Sequence, residues 1–247
     1  MRSLLPLVLA WVFALPARAG EVQVAVAANF AGPFARIAEQ FSAATGHTLK
    51  VSSGATGKFY AQIVHGAPFE VLLAADDETP RKLVAEGHAI AGTGFTYALG
   101  RLALWSAQPG FVDAQGAVLG SDKVKHVAIA NPKVAPYGAA AMAVIRARGL
   151  ADAVALKLVT GESIAQTFQF VATGNAEIGF VALSQVMAPG RAAAGSYWLV
   201  PAAMHGEIRQ DAVLLKTGEK NPAARALLEF LKSDAARAVI REHGYGL

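Results

Sequence analysis

One pattern constrains this chain more than any other: short apolar, β-rich runs alternate with segments whose apolar residues recur every three or four positions. The runs VQVAVAA (22–28), HTLKVSS (47–53) and EVLLAA (70–75) come first. Between the first two, Phe30, Phe34, Ile37 and Phe41 fall on one face of a helix. Asn29 is placed to cap that helix and Gly46 to end it. Asp76, Asp77 and Thr79 ahead of Pro80 form a cap-plus-proline start for the next one. Strand, helix, strand, helix predicts an α/β fold, in which a parallel sheet is covered by helices.

A second set repeats the pattern without repeating the sequence. It comprises GRLALWSA (100–107), HVAIA (126–130), a helix over about 139–148, LKLV (156–159), a helix over 164–173, AEIGFVAL (176–183), YWLV (197–200) and DAVLLK (211–216). Two helices close the chain, one opened by Asn221-Pro222 and one by Ser233. No disordered linker separates the two sets. The expectation is therefore two lobes, with the chain crossing between them on extended segments at 95–106 and 196–213. The first lobe takes residues 20–98 and 203–247, and the second takes 99–202.

The N-terminus reads MRSLLPLVLAWVFALPARA, a basic residue, a short apolar stretch and a small-x-small Ala17-Arg18-Ala19. This is the pattern of a signal peptide over residues 1–19, cleaved after Ala19. Pro6 and Pro16 interrupt the apolar run, which is shorter than the ~20 residues that span a bilayer. Without Arg2 and Arg18, the expected mature chain carries 20 basic and 18 acidic residues, a net charge of +2. No basic cluster with interleaved aromatics is present, so nucleic acid is not an expected partner. The chain has no cysteine, which excludes disulfides, thiolate metal sites and cysteine nucleophiles.

The chemistry is expected where strands end, because an open α/β sheet binds ligands beyond the carboxyl ends of its strands. The turns there are Ala27-Ala28-Asn29, Ser52 to Gly57, Asn131 to Gly138, and Thr160 to Ser163. They are small, polar and mostly uncharged, and each leads into a helix. Free amides and the positive helix end attract an oxyanion without any arginine. Each residue also has a plainer role: Asn29 and Ser163 as caps, Thr56 as a turn hydroxyl, Tyr137 as a half-buried aromatic, Lys58 as a solvated helix-start residue.

The stretch KVSSGATGKF (50–59) resembles a nucleotide loop but lacks its working parts. Ser52 stands where the first glycine of a Walker A loop belongs, and Phe59 replaces its metal-binding hydroxyl. The six histidines show no zinc spacing, and Gly161-Glu162-Ser163-Ile164-Ala165 is not a nucleophile elbow. Asp76-Asp77 fits helix capping better than metal binding. No enzyme activity and no cofactor are expected.

Five stretches carry a resemblance that runs over nearly the whole expected mature chain: VAVAANF (24–30), SSGATGKFYAQIVHGAPFEVLLAAD (52–76), ANPKVAPYG (130–138), GESIAQ (161–166) and NAEIGFVALSQ (175–185). They are similar to the molybdate-binding periplasmic receptors of ABC importers. The resemblance implies a bilobal type II solute-binding fold, a periplasmic location, a monomer, a membrane permease as partner, and molybdate or tungstate as ligand. It also implies oxyanion ligands at the Ala28 amide, Asn29, Thr56, Tyr137 and the Ile164 amide. A tyrosine that some members place in the strand before the last helix of the second lobe is replaced here by Ala182. That departure sets the chain beside the subgroup with asparagine and tyrosine ligands. Sulfate, phosphonate and an exported hydrolase remain the alternatives.

Overall fold

The computed structural model describes residues 19–187 and 195–247. The expected leader therefore lies, but for Ala19, outside the described residues. The first part of the chain runs β1 (Glu21–Ala27), a 3-10 turn (Ala28–Phe30), α1 (Ala31–Thr45), β2 (Thr48–Gly54), α2 (Thr56–Val64), β3 (Val71–Leu73), α3 (Glu78–Ala85) and β4 (Phe95–Gly100). It continues through β5 (Leu102–Ser106), β6 (Val127–Ala130), α4 (Pro136–Ala147), α5 (Ala151–Val154), β7 (Leu158–Gly161), α6 (Ile164–Ala172), β8 (Ile178–Ala182), α7 (Leu183–Val186) and β9 (Ser196–Leu199). It ends with β10 (Ile208–Leu214), α8 (Pro222–Leu231) and α9 (Asp234–Glu242).

Two five-stranded sheets result, in the orders β2-β1-β3-β10-β4 and β7-β6-β8-β5-β9. The expectation of parallel sheets needs one correction in each. β10 runs antiparallel to β3 and β4, and β5 runs antiparallel to β8 and β9. The cause is the crossing itself. β5 follows β4 after Arg101 alone, and β10 comes from the second sheet, so each enters its new sheet from the cleft side while the other strands point toward it.

Residues 95–100, which the sequence marks only as part of a crossing, form β4 and pair with β10 over Phe95 to Gly100. The helices form for the reason their spacing gives. In α1, Phe34, Ile37 and Phe41 are fully buried, each worth roughly 1.5–3 kcal/mol of apolar transfer. Gly46 ends that helix in the left-handed conformation, φ 74°, where a side chain would be strained. Leu227, Leu231 and Ile240 of the last two helices join Val22, Val24 and Val26 of β1 in one core. Leu102, Leu104, Ile129, Ile145 and Phe180 form the other.

The caps fall partly where expected. Ser163 accepts a hydrogen bond from the Gln166 amide at 3.3 Å, and Asn221 from the Ala223 amide at 3.0 Å. Asp76 accepts from the Thr79 amide at 2.8 Å, one residue earlier than the cap position of α3. Asn29 caps nothing: a 3-10 turn intervenes, and α1 begins without a side-chain cap. Its amide has been turned to another use.

Candidate functional site

Ala28, Asn29, Thr56, Tyr137 and Ile164 line one small cavity between the sheets, with about 210 Å³ of empty space. Little of that space is enclosed, so the walls leave room only for a compact ligand. Its other walls are Ala27, Gly54, Ala55, Ala75, Ala135 and Pro136, and no charged side chain is among them.

Local structure explains the convergence. β1 and β2 end side by side, with Ala27 opposite Gly54, so the Ala28–Phe30 turn and the start of α2 sit together. β6 and β7 end likewise, with Ala130 opposite Gly161, bringing the starts of α4 and α6 together from the other sheet. The first amides of α2 and α6, those of Thr56 and Ile164, have no acceptor within their own helices. Three helix N-termini thus present partial positive charge to a space with no cation in its wall.

Each side chain is held. Thr56 is 1% exposed, and its Oγ1 accepts a hydrogen bond from the Ala75 amide at 2.9 Å, which leaves its own proton to donate. Asn29 is 3% exposed, with Nδ2 placed 2.9 Å from Gln210 Oε1 and 3.0 Å from Tyr245 Oη. Tyr137 is 1% exposed, and its Oη accepts from Gln210 Nε2 at 3.1 Å. Burial pushes the Tyr137 and Tyr97 phenols well above their ordinary range, and pushes Tyr245 up to about 12. All three stay neutral donors at any physiological pH.

The two sides of the cleft also touch directly. The Gly57 amide donates to the Val134 carbonyl at 2.9 Å, and a Cβ on Gly57 would stand 2.9 Å from Val134 Cα, so only glycine permits the approach. Ser184 of α7 donates to the Asn29 carbonyl at 3.0 Å. At the rim, Lys58 pairs with Glu162 at 2.6 Å while both remain in water. Lys58 therefore spans the rim instead of lining the cavity.

A wider pocket of about 940 Å³ lies beside this one, lined by Asp76, Glu78 and Glu207 together with Lys133 and His205. Its carboxylates oppose an anion. Burial pushes Asp76 up from the usual carboxylate range against the bonds from Thr79 that lower it. No cluster of metal-ligating side chains occurs among the described residues.

Sequence reasoning brings together the residues at the strand ends and misses those behind them. Gln210, Tyr245, Tyr97 and Ser184 form a buried polar layer under Asn29 and Tyr137. A glutamine in an otherwise apolar-facing position of IRQDAVLL is the one available signal. Ala182, where some receptors of this kind would carry a tyrosine hydroxyl, is fully buried at the end of β8 and offers none.

Two sheets joined by crossing strands, with a ligand-sized space between them, define an extracellular solute receptor. The chain belongs to the bacterial extracellular solute-binding protein family, whose pattern it matches over residues 22–246. It is 59% identical over 238 residues to the molybdate-binding protein ModA of Azotobacter vinelandii, covering 96% of this chain and 94% of that one. It is 54% identical over 232 residues to ModA of Rhodobacter capsulatus, covering 94% and 90%. The solved Azotobacter vinelandii periplasmic molybdate-binding protein superposes with a TM-score of 0.89 at 41% identity, covering 92% of this chain and 99% of that one.

Proposed function

We propose that the protein is a periplasmic receptor that binds molybdate, and tungstate with it, in the small cavity and delivers it to an ABC importer. The observation that carries this reading is the cavity wall: three helix N-termini and several neutral donors, with no charged side chain. The two molybdate-binding relatives above half identity support the choice of oxyanion.

The mechanism is physical. A dianion between the sheets accepts hydrogen bonds from Thr56 Oγ1, Tyr137 Oη, Asn29 Nδ2 and the amides at Ala28 and Ile164. Hydrogen bonds to a charged group are worth ~1.5–3 kcal/mol each, enough in sum to offset stripping the ion of water. Asn29 has to release Tyr245 to turn an N–H toward the ion. The exchange costs little, because Tyr245 already lies 3.0 Å from Ser184 Oγ and donates to the Asn29 carbonyl at 2.8 Å. No carboxylate lines the cavity to accept the proton that phosphate carries at neutral pH. Cavity size then favours the longer metal–oxygen bonds of molybdate over sulfate.

With donors on both sides, the ion stabilises the closed arrangement, and a permease reads the closed surface of a monomeric receptor. Calorimetry on the ligand-stripped protein with molybdate, tungstate, sulfate and phosphate tests the reading. Sub-micromolar molybdate and tungstate binding with no measurable sulfate or phosphate heat is the expected result. Equal binding of sulfate contradicts it.

A further inference from the structure

Gln210 touches no part of the cavity, yet it holds two residues that do. It lies on β10, fully buried, where the pairing with β4 shifts register between Gln210 and Asp211. The extra residue at that bulge is Tyr97 of β4, while Gln210 keeps the regular alternation of β10 with buried Ile208 and Ala212. Ordinary strand alternation turns the glutamine toward the cleft floor, where Oε1 lies 2.9 Å from Asn29 Nδ2 and Nε2 lies 3.1 Å from Tyr137 Oη. Gly100 makes room: a Cβ there would collide with both Tyr137 Oη and Gln210 Nε2. Tyr97 braces the glutamine from behind: its hydroxyl lies 3.0 Å from Oε1 and 2.9 Å from the Ala74 carbonyl, two acceptors that share one phenol proton.

We propose that Gln210 is a positioning residue that sets the hydrogen-bond polarity of the oxyanion cavity from beneath it. An amide has one accepting and one donating end, and here each end meets a different ligand residue. Oε1 repels an oxygen and so keeps the nitrogen of the Asn29 amide at that corner of the site. Nε2 donates to the Tyr137 oxygen, so the phenol's single proton cannot point back at Gln210 and is directed to another acceptor. One side chain thereby sets the polarity of both residues, with Asn29 free to donate once it releases Tyr245. A cavity with either residue reversed would present a lone pair to a dianion. Because Tyr137 starts a helix of the second sheet while Gln210 and Asn29 belong to the first, the same amide ties donor polarity to closure.

The inference rests on the oxyanion reading, and its test separates the two. Gln210→Met keeps the volume and removes both ends. In the unaltered background it should weaken molybdate binding roughly 10- to 100-fold, by the worth of hydrogen bonds to a charged group. In an Asn29→Ala/Tyr137→Phe background, which lacks the groups Gln210 positions, the same change should add less than about 2-fold. A merely structural glutamine would lower the melting temperature in both backgrounds and give no such coupling. Unchanged affinity in the first background, or an equal loss in both, overturns the proposal.

Gln210→Glu serves if the methionine variant does not fold. It keeps an acceptor toward Asn29 but turns the other end from donor to acceptor, drawing the Tyr137 proton inward. A loss of at least about 100-fold for molybdate and tungstate is expected at neutral pH. Wild-type affinity in that variant overturns the proposal. Binding by the unaltered protein with intact variants removes this inference alone, whereas no oxyanion binding by the unaltered protein removes both.

Discussion

The wall of the cavity and its rim come from the same two turns, and two residues separate opposite chemistries. Thr56 is buried and neutral, while Lys58 is charged and nearly half exposed; Ile164 offers a buried amide, while Glu162 stands in water. In the proposed binding mode a donor at the wall would act on an ion stripped of water, where its worth is high. At the rim the Lys58–Glu162 pair is screened, and such pairs contribute ~0–1 kcal/mol. A lysine beside a glycine-rich loop is therefore a poor guide to where an anion sits when the loop's own amides and hydroxyls are buried two residues away.

The contrast can be broken at either end. The largest effect is expected at the wall: Asn29→Ala should weaken molybdate binding roughly 10- to 150-fold in calorimetry, through one lost bond to the ion. A change below threefold would remove the wall from the account.

A second effect follows from the neutral phenols behind the wall. Burial raises Tyr245 to about 12 and raises Tyr97 and Tyr137 further above their ordinary value. The unfolded chain releases these protons near pH 10, before the folded one does. Their contribution to stability is thus complete below about pH 10 and is lost as pH rises through the folded values. Urea midpoints should fall from pH 10 to pH 11.5, and less steeply in Tyr245→Phe than in the unaltered protein. A midpoint that holds steady over that interval would contradict the burial argument.

The smallest effect belongs to the rim. Lys58→Ala should change molybdate affinity less than about 5-fold at physiological salt. A larger loss than that of Asn29→Ala would reverse the comparison.

Much of this is legible in the amino-acid sequence. Apolar spacing places α1, Asn221-Pro222 opens α8, and the turns following four strands name the residues that meet at the cavity. Two things are not legible there. FTYALG, at 95–100, has no local mark that separates a connecting segment from a strand, because pairing with β10 across more than a hundred residues makes it one. The layer beneath the cavity is also hidden, since Gln210 and Tyr245 lie 181 and 216 residues from Asn29. Asn29 shows the limit within a single residue. Its position ahead of a helix suggests a cap, and only the tertiary partners Gln210 and Tyr245 turn its amide elsewhere.

The most direct test is to locate the ion. Anomalous diffraction from crystals grown with tungstate should give one tungsten peak enclosed by Asn29, Thr56, Tyr137 and Ile164. A peak instead in the wider pocket beside Lys133 and His205, with the small cavity empty, would contradict the account.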